Sequence, residues 1–239
     1  MKKRSLAIWI LAAAVICFSS CRKVIGEGPL VTQTRAVANF TGVSSETSGQ
    51  VNVTIASTYK VEITAQQNIL DIINTNVVDG VLHIDFKNNV RVREHEDITV
   101  NISLPAADYF RLSGYGNMNV IGDLASSNLK LSLSGSGNIS VQNAMVADKI
   151  DAEMSGSGNI DVLHGSAISE DLNISGSGNI HLVGVAAQTT TSHISGSGDM
   201  KVVVSQSLDA HISGSGSVYY HGNPIISTHI SGSGKVIPF

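Results

Sequence analysis

Cysteine is almost missing from this chain: its two copies, Cys17 and Cys21, both fall close to the start. Residues 22–239 therefore offer no disulfide, no cysteine metal site and no Cys–His nucleophile pair. Tryptophan is as scarce, its single copy being Trp9. Basic charge is also in short supply, with 15 Lys and Arg against 19 Asp and Glu and a net charge of −4. An acidic chain without a basic stripe argues against nucleic acid as the partner. Neither HExxH nor GxSxG occurs, so the zinc-protease and hydrolase sites they mark are not expected. Hydrophobic periods of 3.6 are absent too, which excludes a helical solenoid.

What is present begins with a leader. Lys2, Lys3 and Arg4 precede an apolar run from Leu6 to Phe18, and then come Ser19, Ser20 and Cys21. That run is shorter than the roughly 20 residues a membrane-spanning helix needs, so it reads as a signal peptide over residues 1–20. Phe-Ser-Ser-Cys resembles the lipobox of bacterial lipoproteins, which implies cleavage before Cys21 and acylation (palmitate and related chains) on that residue. Several acyl chains anchor stably where one binds only marginally, so a membrane is an expected partner. Losing Lys2, Lys3 and Arg4 leaves 12 basic residues against 19 acidic ones, a charge of −7. Residues 21–29 then read as the lipidated cysteine and a short tether, and residues 30–239 as one domain.

The domain is dominated by a repeat. LSGYGNM, LSGSGNI, MSGSGNI, ISGSGNI, ISGSGDM, ISGSGSV and ISGSGKV start at residues 112, 133, 154, 174, 194, 212 and 230, spaced 21, 21, 20, 20, 18 and 18. A period near 20 marks a solenoid whose units bury their apolar faces only by stacking. Leu112, Leu133, Met154, Ile174, Ile194, Ile212 and Ile230 precede the motif, and Met118, Ile139, Ile160, Ile180, Met200, Val218 and Val236 follow it. Alternation on both sides of a Gly-rich turn means strand, turn, strand, with one face inward. The expected fold is all-β, a single-stranded β-helix with coils of about 20 residues.

Ser-Gly-Ser-Gly is then the corner of each coil. The turn glycines are Gly135 and Gly137, Gly156 and Gly158, Gly176 and Gly178, Gly196 and Gly198, Gly214 and Gly216, and Gly232 and Gly234. Glycine reaches positive φ without penalty and lets stacked backbones approach closely. The serines, with Asn117, Asn138, Asn159 and Asn179, are expected to satisfy turn amides and form polar ladders. A phosphate-binding loop is excluded because a strand, not a helix, follows each glycine pair. Residues 111–239 carry the seven repeats. Residues 30–110 alternate less regularly and read as wider coils of the same solenoid, with a hint of a helical turn at 68–73.

With FTGV at 40–43, DGVLHI at 79–84 and the SGSGNI copies, the chain resembles the auto-transporter adhesin head GIN domain family of bacterial envelope proteins over about residues 31–239. The resemblance implies a right-handed β-helix, likeness to pectin lyases without their catalytic residues, and an adhesive role. Lipid anchoring is expected in place of a C-terminal translocator barrel, which puts the protein on the envelope as an outer-membrane lipoprotein.

Candidate chemistry is sparse. Asp151, Glu153 and Asp171 should project outward from adjacent coils, either as a lyase-like Ca²⁺ site or as a solvated acidic face, since no base stands beside them. Tyr219 should point outward, as a glycan platform or as edge packing, while Tyr220 faces in. His193, His211 and His229 each stand two residues before a corner serine, in one outward column. Neighbouring imidazoles about one coil apart are either a solvated ladder or a zinc-type metal site to which Asp209 adds an oxygen. No organic cofactor is expected. The reading is a noncatalytic, lipid-anchored envelope protein that binds a glycan or protein ligand; Pro238 is expected to blunt the edge of the last coil, with homo-oligomerisation through Ile237 and Phe239 as the alternative. The alternatives are a polysaccharide-active enzyme and a purely structural envelope protein.

Overall fold

Stacked corners organise the molecule, and they are seen in a computed structural model that describes residues 22–239. The leader and Cys21, with its expected lipid, lie outside the described residues. The first part of the chain forms β1 (Arg22–Val24), β2 (Leu30–Thr34), β3 (Gly42–Ser45), β4 (Gly49–Ile55) and β5 (Lys60–Gln66). A helical turn α1 (Gln67–Leu70) follows, then β6 (Ile73–Val78), β7 (Val81–Phe86), β8 (Val90–Val92) and β9 (Ile98–Leu104). The repeats form β10 (Tyr109–Gly114), β11 (Asn117–Gly135), β12 (Asn138–Gly156), β13 (Asn159–Val162) and β14 (Gly165–Gly176). They continue as β15 (Asn179–Gly196), β16 (Met200–Gly214), β17 (Ser217–His221), β18 (Ile225–Gly232) and β19 (Lys235–Pro238).

Every repeat strand pairs in parallel with its counterpart one coil away, giving a β-solenoid of about 6 turns. Corner lies on corner: Gly135 pairs with Gly156, Gly156 with Gly176, Gly176 with Gly196 and Gly196 with Gly214. The apolar columns face inward as the alternation requires, with Met154, Ile174, Ile194 and Ile212 each 2% exposed. Burying one such side chain contributes about 1.5–3 kcal/mol, so cohesion accrues coil by coil. Ile230, next in that column, is 43% exposed because nothing among the described residues stacks on the last coil.

The two corner glycines are required for different reasons. Gly176 has φ +135°, and a Cβ there would also lie 2.3 Å from the Gly156 carbonyl oxygen. Gly178 carries no such torsion; a Cβ on it would meet Met154 Sδ at 2.1 Å and the Gly158 oxygen at 2.4 Å. The first glycine turns the chain, and the second makes room for the coil beneath. Corner amides are satisfied by backbone: Ser177 N donates to Gly156 O, and Ser197 N to Gly176 O, both at 2.9 Å. The side-chain ladder expected of serine and asparagine together is carried by asparagine. Asn138 Nδ2 donates to Asn117 Oδ1 (2.8 Å), Asn159 to Asn138 (2.9 Å) and Asn179 to Asn159 (3.0 Å). Asp199 ends the ladder: its carboxylate has no N–H to pass on, and it accepts from Ser217 N at 2.8 Å.

Residues 30–110 depart from the expected wider coils. β3, β4, β7 and β9 do extend the parallel ladder, β3 between β7 and β10 and β4 between β9 and β11. However, β2–β5, β5–β9 and β6–β7 are antiparallel. Hairpins such as the Asp79-Gly80 turn reverse the chain here, and the reversed strands close this end of the solenoid over Phe40, Ile63, Leu70 and Leu82, all fully buried. Closing an end satisfies strand edges that would otherwise invite pairing. The expected tether is also structured: β1 pairs in parallel with β8, Val24 is buried, and Gly26 N donates to Glu94 O at 2.7 Å. An apolar Val24 with an edge strand to pair against does not stay free.

Candidate functional site

The outward columns beside the corners hold most of the side-chain chemistry. One column runs Ser132, Glu153, Asn173, His193, His211, His229, each in register with the next. Beside it, two residues earlier, run Lys130, Asp151, Asp171, Thr191, Asp209 and Ser227. The first column and the corner serines line an open groove of about 660 Å³. Spanning five coil steps of about 4.8 Å, it is roughly 24 Å long.

At one end of the groove, Glu153 and the carboxylates of the column beside it are taken by lysines. Lys130 Nζ lies 2.8 Å from Glu153 and 3.5 Å from Asp151, and Lys149 Nζ lies 2.9 Å from Asp171. The hydrogen bond to Glu153 raises the Lys130 ammonium above the ordinary lysine range, and the one to Asp171 does the same for Lys149. Asp171, although its partial burial opposes ionisation, is held below the usual carboxylate range by Lys149. These are charge-compensated surface groups, and the arrangement matches the solvated acidic face rather than a calcium cage. The two lysines were not singled out from sequence. Lys130 was findable, because it occupies the column of Asp151 one coil away.

At the other end the histidines stand as expected. His193 and His211 stack with ring centroids 4.7 Å apart and planes at 22°, and His211 and His229 do so at 4.7 Å and 20°. Asp209 joins them, its Oδ2 being 3.2 Å from His211 Nε2. That hydrogen bond chiefly holds the Asp209 carboxyl below its usual range. Elsewhere, Tyr220 packs against the core and Tyr219 lies in the outward column, with Lys201 Nζ 5.9 Å from its ring centroid. A cation over the ring occupies part of the face on which a sugar would stack.

Two further features escaped the reading of the sequence. His181 Nδ1 meets Asp161 Oδ1 at 2.9 Å across one coil step. Inside the core, Glu170 is 2% exposed and Thr190, directly above it, is 1% exposed. Burial pushes the Glu170 carboxyl up to about 8. Its position in the inward column of Leu129, Ile150, Thr190 and Leu208 was the available signal.

The family described as "Putative auto-transporter adhesin, head GIN domain" matches residues 39–224. The chain belongs to this family. No curated protein matches the chain. Solved structures share its fold: an adhesin-titled protein of Bacteroides fragilis NCTC 9343 superposes with TM-score 0.80 at 24% identity, covering 90% of this chain and 100% of its own. A protein of Parabacteroides distasonis ATCC 8503 titled as lipid-binding gives 0.75 at 23% identity, covering 91% and 100%. An adhesin-titled protein of Parabacteroides merdae ATCC 43184 gives 0.73 at 24%, covering 91% and 99%. Membership in a family of adhesin heads supports a noncatalytic role at the cell surface or envelope. No helix among the described residues is long and apolar enough to cross a membrane.

Proposed function

We propose that this head GIN domain protein is a lipid-anchored envelope adhesin that binds its ligand along the corner groove without transforming it. The observation that carries the reading is the pairing of Glu153, at one end of the groove, and of Asp151 and Asp171 in the column beside it with Lys130 and Lys149, which leaves no free acid–base pair among them. General acid–base work needs two groups whose environments drive their pKa values apart toward the working pH. Here the lysines rise and Asp171 falls, away from that range. A long, open track whose rims carry serine, asparagine, glutamate and histidine, over a floor that includes Met154, Ile174, Ile194 and Ile212, suits an extended ligand with both polar and apolar faces, such as a glycan chain or a strand of protein.

Acylation of Cys21 on the outer membrane completes the proposal. Because β1 begins at Arg22 and is paired with β8, the anchor would adjoin the domain rather than swing on a free tether. The antiparallel end would then lie toward the bilayer and the histidine end away from it. Metabolic labelling with a palmitate analogue, compared between the wild type and Cys21→Ser, tests the anchor; equal labelling overturns it. A glycan array paired with a polysaccharide-degradation assay tests the role. Saturable binding without product is expected, and turnover of a bound polysaccharide would replace the adhesin by an enzyme.

A further inference from the structure

At the histidine end of the groove the ligand atoms of Asp209, His211 and His229 all lie within 4.8 Å of one another. Two of them are already at 3.2 Å, His211 Nε2 to Asp209 Oδ2. Tetrahedral zinc with bonds of about 2.0–2.1 Å places its donors roughly 3.3 Å apart, so that pair needs no movement. His229, exposed on β18, can supply the remaining closure of up to about 1.5 Å by rotating its side chain. Asp209 turns its carboxylate toward the pair of histidines: one oxygen meets His211, the other is shut off from solvent, and the Ser227 hydroxyl on the next coil also donates to the carboxyl.

We propose that Asp209, His211 and His229 form a divalent-metal site of the zinc type that staples the last coil to the one before it. Two borderline imidazoles with one carboxylate oxygen make a mixed set that zinc-type ions accept. His211 and Asp209 come from β16 and His229 from β18, so the ion crosslinks two neighbouring coils. His193 is outside the site: two stacking steps of 4.7 Å put it about 9 Å from His229, farther than donors on one ion can stand. The expected column of three equivalent histidines thus resolves into one pair with Asp209, and His193 remains as a stacking neighbour. A fourth coordination position opens on the groove, free for water or for an oxygen of a bound ligand. The ion also strengthens the coil with the least packing, since β18 is exposed along its whole length.

The test uses the purified full-length chain in detergent, freed of metal by chelation and titrated with Co²⁺ and then Zn²⁺. One equivalent of Co²⁺ should give the intense visible bands of a four-coordinate ion, and Zn²⁺ should displace it. Binding is expected to weaken at least tenfold in Asp209→Asn, His211→Ala and His229→Ala, and to stay within twofold in His193→Ala. Zn²⁺ should raise the melting temperature of the wild type and of His193→Ala but not of the other three. All four variants are compared in chelator, where matching melts show that lost binding is not lost folding. Absence of saturable uptake below millimolar metal overturns the proposal, as does a loss in His193→Ala equal to that in His229→Ala.

Discussion

Thr190 donates its hydroxyl to Glu170 Oε2 at 2.8 Å inside the apolar core, one coil step apart. The other oxygen, Oε1, is buried without a partner. One hydrogen bond does not offset the desolvation of a carboxylate, so burial pushes the Glu170 pKa from 4.5 to about 8, with Thr190 only moderating the rise.

Stability should therefore fall with rising pH across that window. Below the unfolded value Glu170 is neutral in both states and costs nothing. Between about 4.5 and 8 the folded state holds a proton that the unfolded state has released, so stability drops by up to about 1.4 kcal/mol per pH unit. Above 8 the penalty is complete. Glu170→Gln keeps an acceptor for Thr190 and removes the titration. Its melting temperature should exceed that of the wild type by a margin that grows from pH 5 to pH 8, whereas a pH-independent difference would show that Glu170 titrates as an ordinary carboxylate.

Gly176→Val and Gly178→Val should each cost a few kcal/mol, by the two routes seen at the corner: positive φ with a backbone clash in the first, contact with the coil beneath in the second. Because Gly178 is constrained by space and not by torsion, Met154→Ala should recover part of the loss in Gly178→Val and none in Gly176→Val. Thermal melts of the two double variants decide this.

Ile212 and Ile230 are the same residue in the same column, one coil apart, and 2% and 43% exposed. Ile212→Ala should cost about 2–5 kcal/mol, as buried truncations do, and Ile230→Ala less than about 1 kcal/mol. Denaturant unfolding of both measures the protection that one coil confers. Ile225, Ile226, Ile230 and Phe239 together leave an apolar end. Ile225→Lys should accordingly reduce any concentration-dependent association seen by sedimentation.

The asparagine ladder should behave as a chain of modest bonds. Asn159 sits in its middle, donating to Asn138 and accepting from Asn179. Asn159→Ala breaks both links at a half-buried site and should cost about 1–2 kcal/mol. Asn117→Ala, at the end of the ladder, should cost less, and equal melting of the two would argue against a cooperative ladder.

Much of the fold was legible in the order of residues because its causes are local. Alternation along a few consecutive positions decides which face of a strand is buried. A glycine pair decides where the chain turns, and the recurrence of both at a nearly constant spacing obliges the coils to stack. The inward columns, the outward histidines and the inward Tyr220 all follow from that logic, and each is seen in the structure.

Only the tertiary structure decided what depends on register between distant segments. Coils of unequal length share their corners, so the differences are absorbed elsewhere, by register shifts such as those between Met145 and Lys149 and between Leu182 and Ala186. Alternation cannot say that Lys149 will reach diagonally to Asp171, that β5 will lie antiparallel to β9, or that Arg22–Val24 will dock on β8. Nor can it say that Asp209, one column over, and not His193, stands close enough to share an ion with His211 and His229. Side-chain alternation is a property of a few consecutive residues, whereas a pairing partner is chosen by which of many compatible edges the folded backbone brings within hydrogen-bond reach.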